Sequence, residues 1–313
     1  MVKKRLGISG VLLLCCMMAW AQYDVSFSHY WAMEPSFNPA SAGKEEKLNI
    51  AGAYAIQLAG FEHNPNTMYA AADMPFYLMR VRQGAGVQLV NDAIGVFSHK
   101  RLSLQYALQT RFLKGKLSIG VQAGLLSENL DGSKVELAGD KEDPAFSTSE
   151  VNGTGFDLGL GLYYMHRSWY AGASVLHLNK PKVELGATNE LEITPTYYLT
   201  GGYNIRLRNP FLTIQTSLLG RTDGTAWRVD VTGRLTYTHG KKMFYGGVSY
   251  SPTNSVTVLV GGNIHGVHLG YSYEVYTSAI NIGNGSHELF VGYQMDLNLL
   301  KKGRNLHKSV RIL

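Results

Sequence analysis

Three histidines near the carboxyl end, His265, His268 and His287, are the residues whose type and closeness could hold a metal ion. Imidazole ligands need a shared face, and pairs at i, i+2 on a strand or i, i+4 on a helix supply one. No such pair is present, and a period-two register puts His268 and His287 on opposite faces. A Ser-His-acid triad is the other chemistry these residue types allow. No G-x-S-x-G turn frames a nucleophile, so hydrolysis has no sequence support. The Gly-rich turns at 153–155 and 283–285 precede no helix that could offer an anion-binding N-terminus, and they read as hairpin turns. No catalytic residue, metal site or cofactor site is predicted.

A different group of charges stands out. Arg206, Arg228, Asp230, Arg234, Glu274 and Glu288 fall on one parity of strand-like runs whose other parity is apolar. In 225–239, Trp227, Val229, Val231, Leu235 and Tyr237 alternate with Arg228, Asp230, Thr232, Arg234 and Thr236. In 286–299 the odd positions Leu289, Val291, Tyr293, Met295 and Leu297 are apolar, and Glu288, Gln294 and Asp296 are not. Alternation of period two marks strands with one oily and one wet face. Charges gathered on one face are cheap in a wet lumen and costly in a dry core. The expectation is an electrostatic network inside a barrel whose outer face meets lipid.

Fourteen such runs can be counted, at 47–59, 67–75, 84–91, 97–112, 116–130, 154–165, 168–178, 193–207, 211–220, 225–239, 242–250, 255–264, 266–278 and 286–299. Tight connections near 113–116, 165–168, 207–210, 239–242 and 264–266 alternate with longer ones at 131–152, 179–190, 220–224 and 277–286. Short periplasmic turns, longer external loops and an even strand number are the signature of a single-chain outer-membrane barrel. A lipocalin-like barrel or a sandwich also alternates, but it would put the apolar face inward around a core.

Composition agrees. Charged residues make up 17% of the chain, with 35 Gly and 19 Tyr. Tyrosines at both interfaces are characteristic of membrane barrels. The formal charge of +6 falls to +3 once Lys3, Lys4 and Arg5 are removed, too little over this length for a nucleic-acid face.

Those three cations precede a short apolar run and an A-x-A site at Ala19-Trp20-Ala21, so residues 1–21 read as a signal peptide. Both cysteines, Cys15 and Cys16, lie within it. A lipoprotein signal ending there would want a small residue before the cysteine, where Leu14 or Cys15 stands. The segment 22–46 reads as a coil, because SFNPASAG with Pro35 and Pro39 can sustain neither helix nor paired strand. Its aromatic residues Tyr30, Trp31 and Phe37 favour burial. The expected place is at or inside the periplasmic mouth, with Asn38 and Pro39 turning the chain toward a first strand at Lys47. The barrel is expected over 47–299, followed by a basic tail at 300–313. That tail is either a solvated extension or a strip that docks on an acidic periplasmic partner.

The order and spacing of these phrases resemble the PorP/SprF family, outer-membrane proteins of the type IX secretion and gliding machinery. The resemblance rests on SFSHYWAMEPSFNPASAG with Asn38, Pro39, Ala40 and Gly43, on YAAADMPF and LGYSYEVYTSAI, and on GSHELFVGYQM with His287, Glu288 and Tyr293. The chain departs from the family's commoner phrase at Trp31 to Glu34. The resemblance implies a machine component in the outer membrane, in contact with its lipid. Its implied partners are periplasmic ring or peptidoglycan-associated lipoproteins and a secreted cargo or adhesin protein. A diffusion porin or small-solute transporter, and an anchor for surface filaments, remain as other readings.

Overall fold

The computed structural model describes residues 24–131, 150–186, 189–252, 254–277 and 284–297. The segment 1–21 read as a signal peptide, residues 132–149 and the expected tail at 300–313 lie outside the described residues.

Alternating sequence becomes alternating exposure along most of the long strands. The strands are β1 (Lys47–Ile56), β2 (Asn66–Leu78), β3 (Val81–Ile94), β4 (Phe97–Phe112), β5 (Gly115–Asp131), β6 (Glu150–Met165), β7 (Trp169–Leu176), β8 (Lys182–Leu185), β9 (Asn189–Glu192), β10 (Thr196–Arg206), β11 (Leu212–Thr222), β12 (Trp227–His239), β13 (Lys242–Ser251), β14 (Ser255–Ile264), β15 (Val267–Tyr276) and β16 (Ser286–Asp296). All but β8 and β9 form one closed antiparallel barrel of fourteen strands, in which β16 returns to pair with β1. Closure matters because a spanning sheet with a free edge would leave its backbone groups unpaired in hydrocarbon.

The outward face is apolar. On β16, Leu289, Val291, Tyr293 and Met295 are exposed, while Glu288 and Phe290 turn inward and are buried. Exposed Tyr77, Phe112, Trp169, Tyr203, Phe211, Tyr237 and Phe244 lie toward the short-turn end. Tyr54, Phe97, Tyr197, Trp227 and Tyr250 lie toward the other end. Two aromatic belts around an apolar band are what a lipid bilayer selects. No described helix is long and apolar enough to cross a membrane.

β2 and β3 run well past the stretches 67–75 and 84–91 expected from periodicity. Their turn is made by Met79 and Arg80 at φ 52° and 64°. Neither residue is a turn former, so the sequence carried no signal there. Around 179–190, read above as plain loop, the chain forms the β8–β9 hairpin. Val183, Leu185 and Ile193 pack on Leu126, an inward residue of β5, so this connection folds over the lumen at the long-loop end.

Candidate functional site: a lumen filled by the N-terminal segment

Residues 24–46 run through the barrel from its long-loop half to its short-turn rim. Three single 3-10 turns, Tyr30–Ala32, Glu34–Ser36 and Pro39–Ser41, punctuate the segment. With Pro at the start of two of them, the backbone satisfies itself locally and leaves many groups for the wall. The segment therefore reaches much further than the periplasmic mouth where sequence reasoning put it. The reason is the supply of wall partners along the whole inward face.

At the long-loop end Asp24 is the anchor. Arg101 donates to it at 3.0 Å, Tyr198 at 2.7 Å, and His177 Nε2 lies 3.2 Å away. The His177 Nδ1 lies 2.9 Å from Asp157, so one imidazole bridges two buried carboxylates. Arg221 donates to the carbonyls of Asp24 and Val25. Burial by itself would raise the Asp24 pKa, but the charges of His177 and Arg101 hold it well below the usual carboxylate range. Burial would likewise lower His177, and its two carboxylates push it up to about 9.

Further down, Glu288 accepts from the backbone N–H of Ser28 at 2.6 Å and of His29 at 3.0 Å, and it meets His29 Nδ1 at 2.6 Å. Tyr30 donates to Thr232 Oγ1 at 2.9 Å. Phe37 stacks on Tyr198 with centroids 5.6 Å apart, in a cluster with Tyr30, Leu176 and Leu219. Phe27 and Met33 fill a second cluster with Tyr69, Val90 and Phe290. These inward apolar residues exist because they face the segment rather than water.

The Asn-Pro-Ala step sits on glycines of the wall. Asn38 Oδ1 accepts from Ala40 N–H at 3.0 Å, and Asn38 Nδ2 donates to the Leu162 carbonyl at 3.0 Å. A Cβ built on Gly161 would stand 2.1 Å from Asn38 Oδ1, and one on Gly120 would stand 2.2 Å from the backbone nitrogen of Ala40. No real side chain fits at such separations, so these glycines admit close backbone approach. Ala40 is fully buried there.

At the rim, Lys44 pairs with Glu34 at 2.6 Å, and Tyr163 donates to Glu34 at 3.2 Å. Burial would lower the Lys44 pKa, but Glu34 and Glu45 raise it above the usual lysine value. Gly43, at φ 65°, donates its N–H to Asp73 at 2.8 Å. Arg82 donates to the carbonyls of Gly43 and Lys44 and pairs with Glu46 at 3.1 Å. Asn38 caps the turn Pro39–Ser41, and Gly43 in the left-handed region follows it on the way to β1.

The lumen charges separate into groups. Arg228 pairs with Asp230 at 3.0 Å and Glu274 at 3.2 Å, and Ser255 donates to Glu274. Glu288 serves the N-terminal segment instead. Arg234 donates to Ser217 at 3.2 Å and lies over the Trp31 ring, 3.4 Å from its centroid. Arg206 is exposed at the end of β10 and makes no ion pair with a described residue. His268 faces inward, and His287 on the outer face meets Tyr271 at 2.7 Å. Among the described residues no group of three His, Cys, Asp or Glu could hold a metal.

Sequence reasoning did not single out Asp24, His29, Glu34, Lys44, Arg101, His177 or Arg221. Parity puts Arg101 on the wet face, but nothing local says that Asp24 meets a partner 77 residues away in Arg101 or 174 away in Tyr198.

A closed fourteen-stranded barrel with a lipid-facing apolar band and an interior occupied by its own N-terminal segment is an outer-membrane β-barrel of the plugged kind. The family model described as type IX secretion system membrane protein PorP/SprF matches residues 19–293, and the chain belongs to that family. No curated protein sequence matches the chain. Among solved structures, the CymD monoaromatic hydrocarbon channel superposes with a TM-score of 0.50 at 11% identity, over 87% of this chain and 94% of that one. A FadL homologue of Pseudomonas aeruginosa gives a TM-score of 0.46 at 11% identity, over 83% and 92%. At such identities the likeness is one of fold alone.

Proposed function

We propose that the protein is a non-catalytic, plugged barrel of the type IX secretion machinery. On this reading a cleaved signal peptide directs it across the inner membrane. Its barrel then works as a fixed platform between the cell surface and the periplasm. The periplasmic rim engages ring or peptidoglycan-associated lipoproteins, and the long-loop end engages a secreted cargo or adhesin protein.

The observation that carries this reading is the filled lumen. A diffusion pore needs a continuous water path, whereas here residues 24–44 are held to the wall by ionic and backbone hydrogen bonds at both ends and in the middle. The porin reading would need that segment to leave, breaking several buried charge-assisted bonds at once.

Two measurements test the proposal. In planar bilayers the intact protein should conduct little, and deletion of residues 23–37 should open a stable conductance while the barrel still inserts. In cells the same deletion should reduce export, and purification in detergent should recover ring lipoproteins with the intact protein. High conductance of the intact protein, or normal export by the deletion, refutes the platform reading.

A further inference from the structure

A cavity of about 390 Å³ lies below the plug at the short-turn end, between the segment and the wall. Its size falls in the range of small-molecule sites. Asn204, Asn263 and Gln294, near the short-turn ends of β10, β14 and β16, line its lower part, and Trp31, Arg234 and His268 line its upper part. Met243 and Phe290 supply apolar wall.

Arg234 is 7% exposed and has no carboxylate within ion-pair distance among the described residues. The other buried arginines of the lumen are engaged, Arg221 by the carbonyls of Asp24 and Val25 rather than by a carboxylate. Arg101 has Asp24, Arg228 has Asp230 and Glu274, and Arg82 has Glu46. The acids that also line the cavity are taken as well: Glu34 by Lys44 and Tyr163, Asp73 by Gly43 and Asn49, Glu45 by Gln294. Arg234 Nε, Trp31 Nε1 and His268 Nε2 are buried and have no hydrogen-bond partner.

A buried guanidinium without a counter-ion is costly, and the arrangement left around it is specific. Trp31 covers its face and Ser217 takes one N–H of Nη2, which leaves one two-bond edge for a ligand, and such an edge of a guanidinium matches a carboxylate in a fork. Trp31 and His268, with ring centroids 5.9 Å apart, add further nitrogens next to it. We propose that this cavity is a binding site for a carboxylate carried on a short, partly apolar chain. The acid group sits on Arg234 and the chain lies along Met243 and Phe290. Because Trp31 belongs to the plug and Arg234 to the wall, the bound ligand also ties the plug in place. The ligand is either a free short-chain acid or the carboxyl terminus of a peptide, since both present this chemistry.

Calorimetric titration of the full-length barrel in detergent tests the assignment, with hexanoate, a tripeptide free acid ending in Leu, the same tripeptide amide, and inorganic phosphate as probes. Saturable binding of at least one free carboxylate is expected, with the amide failing and affinity falling at least tenfold in Arg234→Gln. Hexanoate alone binding assigns a free acid, and the tripeptide acid alone assigns a peptide terminus. If Arg234→Gln does not give a folded barrel, Arg234→Lys keeps the charge and loses the fork, and it should still weaken binding at least tenfold. No saturable binding of either carboxylate, equal binding of amide and acid, preference for phosphate, or unchanged affinity in a folded Arg234 variant overturns the proposal. None of these readings depends on secretion, so the platform proposal stands or falls separately.

Discussion

Replacing His177 by Gln should make the plug's upper anchor insensitive to alkaline pH and weaken it at neutral pH. His177 is fully buried between Asp24, 3.2 Å from one ring nitrogen, and Asp157, 2.9 Å from the other. Against the opposing effect of burial, the two carboxylates raise its pKa from the ordinary histidine value near 6.5 to about 9. A group that binds its proton more tightly when folded stabilises fully below the unfolded pKa, and that contribution is lost as pH rises through the folded one. The window is therefore about pH 6.5 to 9. At 1.36 kcal/mol per unit, the contribution is on the order of 3 kcal/mol. Asp24 works in the opposite sense: its pKa is held down, so its contribution is present above the ordinary carboxylate value and fades only as pH falls below it. Neutral to mildly alkaline conditions thus isolate His177. The assay is thermal unfolding in detergent at pH 6 and pH 9.5, with bilayer conductance alongside. Wild type should lose melting temperature and gain conductance events at pH 9.5 relative to pH 6. His177→Gln should start lower, because Asp24 and Asp157 then lose the cation between them, and it should show much less change between the two pH values. Equal pH dependence in the two proteins would refute the argument, since lysines and tyrosines elsewhere titrate in both.

Further outcomes follow from the same geometry. Val291→Arg places a charge on the lipid face near the middle of β16 and should cost about 2–4 kcal/mol, whereas Gln294→Arg near the short-turn end should be mild; parallel urea unfolding of the two variants in lipid checks the register. Gly120→Val drives a side chain into the backbone of Ala40 and should cost about 1–3 kcal/mol or displace the plug, read as lower melting temperature or raised conductance. Glu288→Gln removes the charge that accepts from Ser28, His29 and the His29 ring, with an expected loss of about 1.5–3 kcal/mol in thermal unfolding. An unchanged melting temperature would mean that the plug does not depend on the Glu288 charge.

The sequence alone determined the barrel. Fourteen alternating runs and their parity were legible, because a strand's two faces meet different solvents and each residue registers its own side. The family resemblance was legible in the same way, through phrases in order along the chain. What a residue meets across the lumen is another matter. Arg228 and Asp230 are two apart on one strand, and their pairing could be anticipated from parity. Arg206 shares that parity yet ends exposed at the rim, because parity gives the face and not the depth of neighbours. The β8–β9 hairpin had a weak signal in the alternation of Val183 and Leu185 before Gly186, but its folding over Leu126 had none. Only the tertiary structure decided that the N-terminal segment rises through the barrel to put Asp24 on Arg101, His177 and Tyr198. Barrel closure creates that interior by bringing together strands far apart in the chain, and the plug's partners are chosen by height and angle within it, quantities that no local pattern of residues encodes.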